Sequence, residues 1–302
     1  MLQLYLLMNF IKRRKMMSSI NRVICFEIKI LLSYVILGLL FSCVSKTEKR
    51  AYNSKHLEDM DLYGKVKSVK VYTMEDNYEH TFFDQNGNKT KSIDYKENEF
   101  NYLTEFKYNK DDLLEYEISY YSSDNDTLSL YKYNYNSSGQ LIREDYYEDD
   151  FEKIYLSSYV LFKYDNEGNL KRHDFYDSHI EGSNGEIVFD FSVVFHYNDK
   201  KLIVKEQSFG FDNKLRSEKI FEYDDFGNTI YIKKINKNGI EYSCKMKYDN
   251  YNNYIYQNCS DADKPVYVKN DYDFNKNWIL KLKKIDTDEE FGIIGHREIE
   301  YY

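Results

Sequence analysis

Phe162-Lys163-Tyr164-Asp165-Asn166-Glu167-Gly168-Asn169-Leu170-Lys171-Arg172-His173-Asp174-Phe175-Tyr176 reads as a β-hairpin. Phe162 and Tyr164 alternate with Lys163 on the way in, Asp165 to Asn169 carry turn chemistry, and Leu170 opens an alternating return strand. Variants of this stretch recur down most of the 302 residues. Aligned on the residue before the turn, they are Phe83, Tyr108, Tyr135, Tyr164, Tyr197, Tyr223, Tyr248 and Tyr272, spaced 24 to 33 residues apart. A period of that size marks a repeat architecture in which each unit buries its apolar face only against its neighbours.

The alignment holds position by position. Two residues before the anchor stand Phe106, Tyr133, Phe162, Phe195, Phe221 and Met246 in the middle copies, and a polar residue separates each from its anchor. That is the period-two pattern of a half-buried strand. The next residue after each anchor is Asp or Asn, whose short acceptor can hold backbone N–H groups two residues on. Four past the anchor come Gly87, Asp112, Gly139, Gly168, Lys201, Gly227, Asn252 and Lys276, mostly residues that tolerate positive φ, with Lys201 and Lys276 the exceptions. Two further on, Leu114, Leu141, Leu170, Ile203, Tyr254 and Trp278 restart the buried face. Simple alternation then buries Leu114, Tyr116, Ile118 and Tyr120 and turns Glu115, Glu117 and Ser119 outward.

The units, as in Tyr164-Asp165-Asn166-Glu167-Gly168-Asn169-Leu170 and Tyr223-Asp224-Asp225-Phe226-Gly227-Asn228, resemble the YD repeats of the RHS family. The resemblance runs from about Phe83 to Trp278. The whole chain is similar to small bacterial lipoproteins with a few such repeats, including its Leu62-Tyr63-Gly64-Lys65-Val66 opening and its Arg297-Glu298-Ile299-Glu300-Tyr301 ending. Large RHS proteins wind many repeats into a shell around a toxin. This chain has too few copies for such a shell, and the small lipoproteins imply no settled activity.

Near the beginning, basic residues from Lys12 to Lys29 precede an apolar run, Ile30 to Phe41, that stops at Ser42-Cys43. A run this short suits a secretory signal better than a spanning helix, which needs about 20 residues. Leu40-Phe41-Ser42-Cys43 resembles a bacterial lipobox, which implies a signal over residues 1–43 and lipid on Cys43. Residues 44–60 are polar and lack apolar periodicity, and read as a flexible tether before a repeat domain over 61–302. The expected location is the cell envelope, lipid-anchored and on the outer membrane.

The chain carries 33 Tyr, 19 Phe, one Trp and one Pro. Tyrosine suits a pleated, half-buried surface, offering an apolar body and a hydroxyl that can stay wet. The expected fold is all-β, an antiparallel meander of about 16 short strands in a curled or rolled sheet, with helix confined to the signal. The net charge is −9, and −14 once the basic first 43 residues are set aside. Such a balance opposes nucleic-acid binding, which draws its affinity from a concentrated basic face.

Cys244 and Cys259 flank the turn near Asp249, and an oxidising envelope permits a bridge between them. Strand parity opposes it. Cys244 shares a face with Met246 and Tyr248, whereas Cys259 falls on the other face from Tyr254 and Tyr256, and only a bulge would bring the sulfurs together.

No nucleophile elbow, phosphate-cradling loop or histidine pair at metal spacing is present in the sequence. His173, Asp174, Asp177 and His179 form the densest cluster and read as a strand end rather than a metal site. Asp84 to Asn88 and Asp165 to Asn169 lack the closing Glu of a calcium loop. Asp145 with Glu148, Asp149 and Asp150 reads as a solvated acidic connection. The expectation is therefore a protein without cofactor, metal or catalytic residues: an envelope scaffold for protein contacts or, as the alternative, a glycan- or peptide-binding module using exposed aromatics. Tyr121, Tyr147, Tyr155 and Trp278 are the candidates for that second role.

Overall fold

The computed structural model of the protein describes residues 55–74, 76–121, 127–149, 154–180, 183, 185–285 and 290–302. The expected signal, Cys43 and most of the expected tether lie outside them. A five-residue helix, α1 (Lys55–Asp59), is followed by eighteen strands. These are β1 (Val66–Met74), β2 (Asn77–Phe83), β3 (Lys89–Lys96), β4 (Glu99–Tyr108), β5 (Leu114–Tyr121), β6 (Thr127–Tyr135), β7 (Leu141–Asp149), β8 (Ile154–Tyr164) and β9 (Leu170–Asp177). The second half comprises β10 (Val188–Tyr197), β11 (Ile203–Gly210), β12 (Leu215–Tyr223), β13 (Thr229–Asn236), β14 (Gly239–Tyr248), β15 (Tyr254–Cys259), β16 (Val266–Tyr272), β17 (Trp278–Ile285) and β18 (Gly292–Tyr301).

Each strand pairs antiparallel with the next, and β18 returns to pair with β1, from Val66 opposite Tyr301 to Tyr72 opposite His296. The meander is thus closed into a barrel, where the repeat pattern predicted a curled sheet of fewer strands. The eight repeats supply β2 to β17. The strands outside the repeat register, β1 and β18, join the free edges, and a closed sheet leaves no unpaired ladder to attract another chain.

The turns follow the sequence closely. In the quoted unit the Asp165 carboxylate accepts the backbone N–H of Glu167 (2.9 Å) and Asn169 (2.8 Å), while Gly168 N–H donates to the Asp165 carbonyl. All eight residues four past an anchor adopt positive φ, from 61° at Lys201 to 89° at Gly227, including both lysines. The turn's hydrogen bonds impose that geometry on whichever residue stands there.

After each turn the register slips by one residue, which the alternation rule missed. Tyr164 pairs with Leu170 but Lys163 pairs with Arg172, so Lys171 is a bulge, and the same slip follows the other seven turns. A bulge reverses which parity faces inward. Glu117 therefore faces inward opposite Phe106, Ser119 is buried opposite Thr104, and Tyr116, Ile118 and Tyr120 turn outward. This corrects the faces expected for β5.

The anchor tyrosines use their hydroxyls to close the neighbouring unit. Tyr108, Tyr135, Tyr164, Tyr197, Tyr223 and Tyr248 each donate to the carbonyl of the residue that opens the previous repeat's return strand, at 2.6–2.9 Å. That carbonyl stands beside the bulge, where ladder pairing is interrupted. Tyr272 and Tyr301 donate instead to the turn carboxylates of Asp249 and Asp273.

The dry core is local. Leu57 of α1, with Leu62, Val66, Val69 and Phe83, is almost fully buried under one end of the barrel wall. Each such side chain contributes about 1.5–3 kcal/mol by leaving water. Residues 55–60 of the expected tether thus belong to the folded unit, and α1 places a short helix outside the expected signal, where burial of Leu57 holds it. Asn277 fastens this segment, taking the Tyr63 N–H at 2.6 Å and donating to the Tyr63 carbonyl at 3.0 Å. A second apolar arc, Phe162, Leu170, Val193 and Phe195, lines β8 to β10. Elsewhere inward side chains are mostly half-buried, as expected where eighteen strands enclose more room than their own side chains can fill.

The outer wall is charged at mid-strand, with Lys70 to Glu298 at 3.4 Å, Arg143 to Asp145 at 2.6 Å and Lys163 to Asp174 at 2.6 Å. A lipid-facing band would be apolar there. Outside the closing seam, His296, Tyr72, Tyr78, Tyr95 and Phe100 stack in a row across five strands, with centroids 4.0, 4.9, 4.5 and 6.4 Å apart.

Candidate functional site: a tyrosine and carboxylate wall inside the barrel

One position in the repeat carries most of the chemistry that faces inward. The bulge turns the ninth residue after each anchor to the inside, directly opposite the residue two before that anchor. Around the barrel this position reads Ser92, Glu117, Glu144, His173, Glu206, Ile232, Gln257 and Lys281. Their opposite partners are Thr81, Phe106, Tyr133, Phe162, Phe195, Phe221, Met246 and Asn270. Repeat-specific groups are thus presented against a largely aromatic ring of neighbours.

On β5 to β8 this pattern builds a wall of acids and phenols. Glu117 lies between Phe106 and Tyr131, Glu144 faces Tyr133, and Tyr146 faces Tyr131 with ring centroids 4.7 Å apart. Tyr133 donates to Glu117 at 3.3 Å, and Tyr155 donates to Glu148 at 3.3 Å. The Glu144 carboxyl is pushed up to about 7, first by burial and then by the charges of Glu117 and Asp145. Burial likewise raises the phenols of Tyr131, Tyr133 and Tyr146, with the nearby carboxylates adding to it, so all three stay protonated as donors. Glu144 is nevertheless half-buried by its exposure, so solvent in the barrel interior touches it.

The residues singled out from sequence fall in different places. Tyr155 and Tyr121 both lie beside Tyr146, at the upper edge of this wall toward the far rim, the end away from the eight repeat turns. Tyr121 is 50% exposed there. Tyr147 points outward between Leu130 and Leu156, and Trp278 is buried on a separate arc of the wall, at β17. Glu117 and Glu144 escaped notice because alternation placed Glu117 outside. The signal that would have found them is the ninth position, once the bulge is allowed for.

The other expectations resolve as follows. Asp145 and Glu148 belong to β7 rather than to a connection, on opposite faces, with Asp145 outside and buried under Arg143. His173 is inward and Asp174 outward, so the cluster is split by strand alternation. His179 sits 3.0 Å from Asp177 and 3.4 Å from Glu148. The turn carboxylates serve their own backbone, and Asp165 is held below the usual carboxylate range first by the side-chain amide of Asn169. Cys244 and Cys259 stand directly opposite on β14 and β15, with Sγ atoms 2.06 Å apart in a disulfide. The parity objection fails because Ile255 is the bulge of that repeat: Tyr248 pairs with Tyr254 but Lys247 with Tyr256.

No protein-family model and no curated protein matches the chain. Among solved structures, 78% of the chain aligns with 98% of a porin-like protein from Bacteroides uniformis at 9% identity and a TM-score of 0.43. It aligns over 74% of its length with TcdB2-TccC3 at 10% identity and a TM-score of 0.40, spanning only 14% of that chain. A protein of unknown function from Bacteroides fragilis aligns with 55% of the chain at 10% identity and a TM-score of 0.24.

Proposed function

We propose that the chain is a non-catalytic binding protein of the bacterial cell envelope, tethered through lipid on Cys43, whose inner tyrosine and carboxylate wall takes a polyhydroxylated ligand of glycan type. The observation that carries this reading is the adjacency of Tyr131, Tyr133 and Tyr146 to Glu117, Glu144 and Glu148 on a half-open inner face. Sugar hydroxyls need acceptors of the carboxylate kind, and sugar rings need flat apolar faces, so this surface matches both demands. The hairpin likeness to YD repeats and the lipobox-like Leu40 to Cys43 support an exported, anchored product.

The test is a glycan array probed with the full-length chain, alongside Glu144→Gln and Tyr146→Ala variants. Selective binding that both variants weaken at least tenfold is the expected result. Glycan cleavage would replace binding by catalysis, and absence of any hit would remove the reading.

A protein-interaction scaffold is the second reading, favoured by exposed apolar residues near the far rim. Phe211, Ile240 and Ile293 are 71%, 64% and 69% exposed there, each at a hairpin or strand end. Recovery of one saturable envelope-protein partner, lost in a Phe211→Asp and Ile240→Asp double variant, would support it.

A further inference from the structure

The inner wall changes sign at β17 and β18. Lys281 and Arg297 both face inward, since Lys281 pairs with Asn270 and Gly295, and Arg297 pairs with Val71 of the buried face. Both cations lie over one ring. The Arg297 guanidinium is 3.7 Å and the Lys281 ammonium 4.2 Å from the centroid of Trp278.

Only one nitrogen of Arg297 is engaged, with Nη2 donating to the Met60 carbonyl at 2.9 Å. Its Nε and Nη1 are closed off from water and have no hydrogen-bond partner among the described residues. A buried guanidinium left in that state is costly and calls for an explanation. The carboxylates of Asp61 and Asp249 are the opposing charges near the pair. Asp249 is already committed to the N–H groups of Tyr251 and Asn253 and to the Tyr272 hydroxyl, so two cations face Asp61. Gly295, opposite Lys281, lets the backbone of β18 pack closely there, since a Cβ would come within 3.2 Å of the Tyr72 carbonyl and 3.9 Å of Trp278.

We propose that Lys281, Arg297 and Trp278 form an oxyanion-binding site on the inside of the barrel, taking the carboxylate, sulfate or phosphate group of a small solute. Lys281 is half-buried and is the reachable member. Arg297 stands behind it with free donors, and Trp278 supplies the flat wall that holds both heads in place. The strongly negative surface excludes large polyanions, so selectivity favours compact ligands that the local positive field can draw in. This site is separate from the β5 to β8 wall and does not depend on a glycan occupying it.

Trp278 is the one tryptophan of the chain, so intrinsic fluorescence reads the site directly. The full-length protein is titrated with inorganic sulfate, inorganic phosphate and acetate at constant ionic strength, with chloride as the balancing salt. A saturable fluorescence change with at least one of them is expected. Lys281→Met, which keeps the apolar stem, should weaken it tenfold or more, and Lys281→Arg should retain it. Comparing the three salts separates a carboxylate preference from a phosphate or sulfate preference. A response that rises linearly without saturating, or an equal affinity in Lys281→Met, would overturn the proposal. Should Lys281→Met fail to fold, the wild-type response is compared with that of free N-acetyltryptophanamide in the same salts: saturation in the protein alone supports the site, and matching linear responses overturn it.

Discussion

Single side chains at equivalent repeat positions meet very different fates. His173 occupies the ninth position of its unit, 1% exposed, with the edges of Phe162, Phe175 and Phe195 around it and neither ring nitrogen bonded among the described residues. Burial pushes its imidazole down to about 3 from 6.5. Above pH 6.5 neither the folded nor the unfolded chain holds that proton. Below it the unfolded chain does and the folded one does not, so stability falls as pH drops from 6.5 toward 3, by about 1.4 kcal/mol per unit. A His173→Leu variant should lose that acid slope and stay within about 1.5 kcal/mol of the parent at pH 7, because removing two orphaned nitrogens offsets the lost ring contacts. Denaturant unfolding at pH 7 and pH 4 checks it, and a parallel decline in both proteins would refute it. Glu144 bends the profile the other way. With a folded value near 7 against 4.5, its stabilising protonated form is lost as pH rises through that interval, so Glu144→Gln should gain on the parent from pH 5 to pH 8. Its half-buried position keeps the slope below the full value for one proton.

Within a hairpin, the turn and the bulge act as one device. The turn fixes positive φ four residues past the anchor, and that requirement suits Gly168 (82°) but costs Lys201 (61°) about 1 kcal/mol in backbone strain. Lys201→Gly should therefore stabilise the protein by up to about 1 kcal/mol, whereas Gly168→Ala should destabilise it by a similar amount, read as opposite shifts of the thermal midpoint. Turn chemistry was legible because it rests on residue types within five positions, as in Asp165 to Asn169. The inward faces of the return strands were not. A one-residue slip such as Lys171 leaves no compositional mark, and alternation carried through it misplaces every residue beyond, as it did Glu117 and Ser119. The Cys244 and Cys259 pair failed for the same reason. The anchor tyrosines were readable as strand residues, but the use of their hydroxyls was hidden, since the acceptor belongs to the preceding unit 19 to 27 residues away.

For the molecule as a whole, closure is the decisive step, and it depends on the two strands that the repeat pattern does not supply. Removing β18 by ending the chain at Phe291 would expose the facing edges of β1 and β17 and strip Met60, just after α1, of its Arg297 contact. Such a chain should associate through those edges, seen as concentration-dependent light scattering, while the full chain stays dispersed. The candidate wall was invisible for a related reason: Glu117, Tyr133 and Glu144 come from three separate strands, β5, β6 and β7, that only the sheet register aligns. The ninth position also has a bearing on how such a chain can diversify. Its occupants range from Ser92 through His173 to Lys281 while the turn and the bulge keep the same form around the ring. Exchanging one of them rewrites a patch of the lining without altering the instructions for building the wall, so recognition in this architecture can drift one letter at a time while the vessel that carries it stays the same.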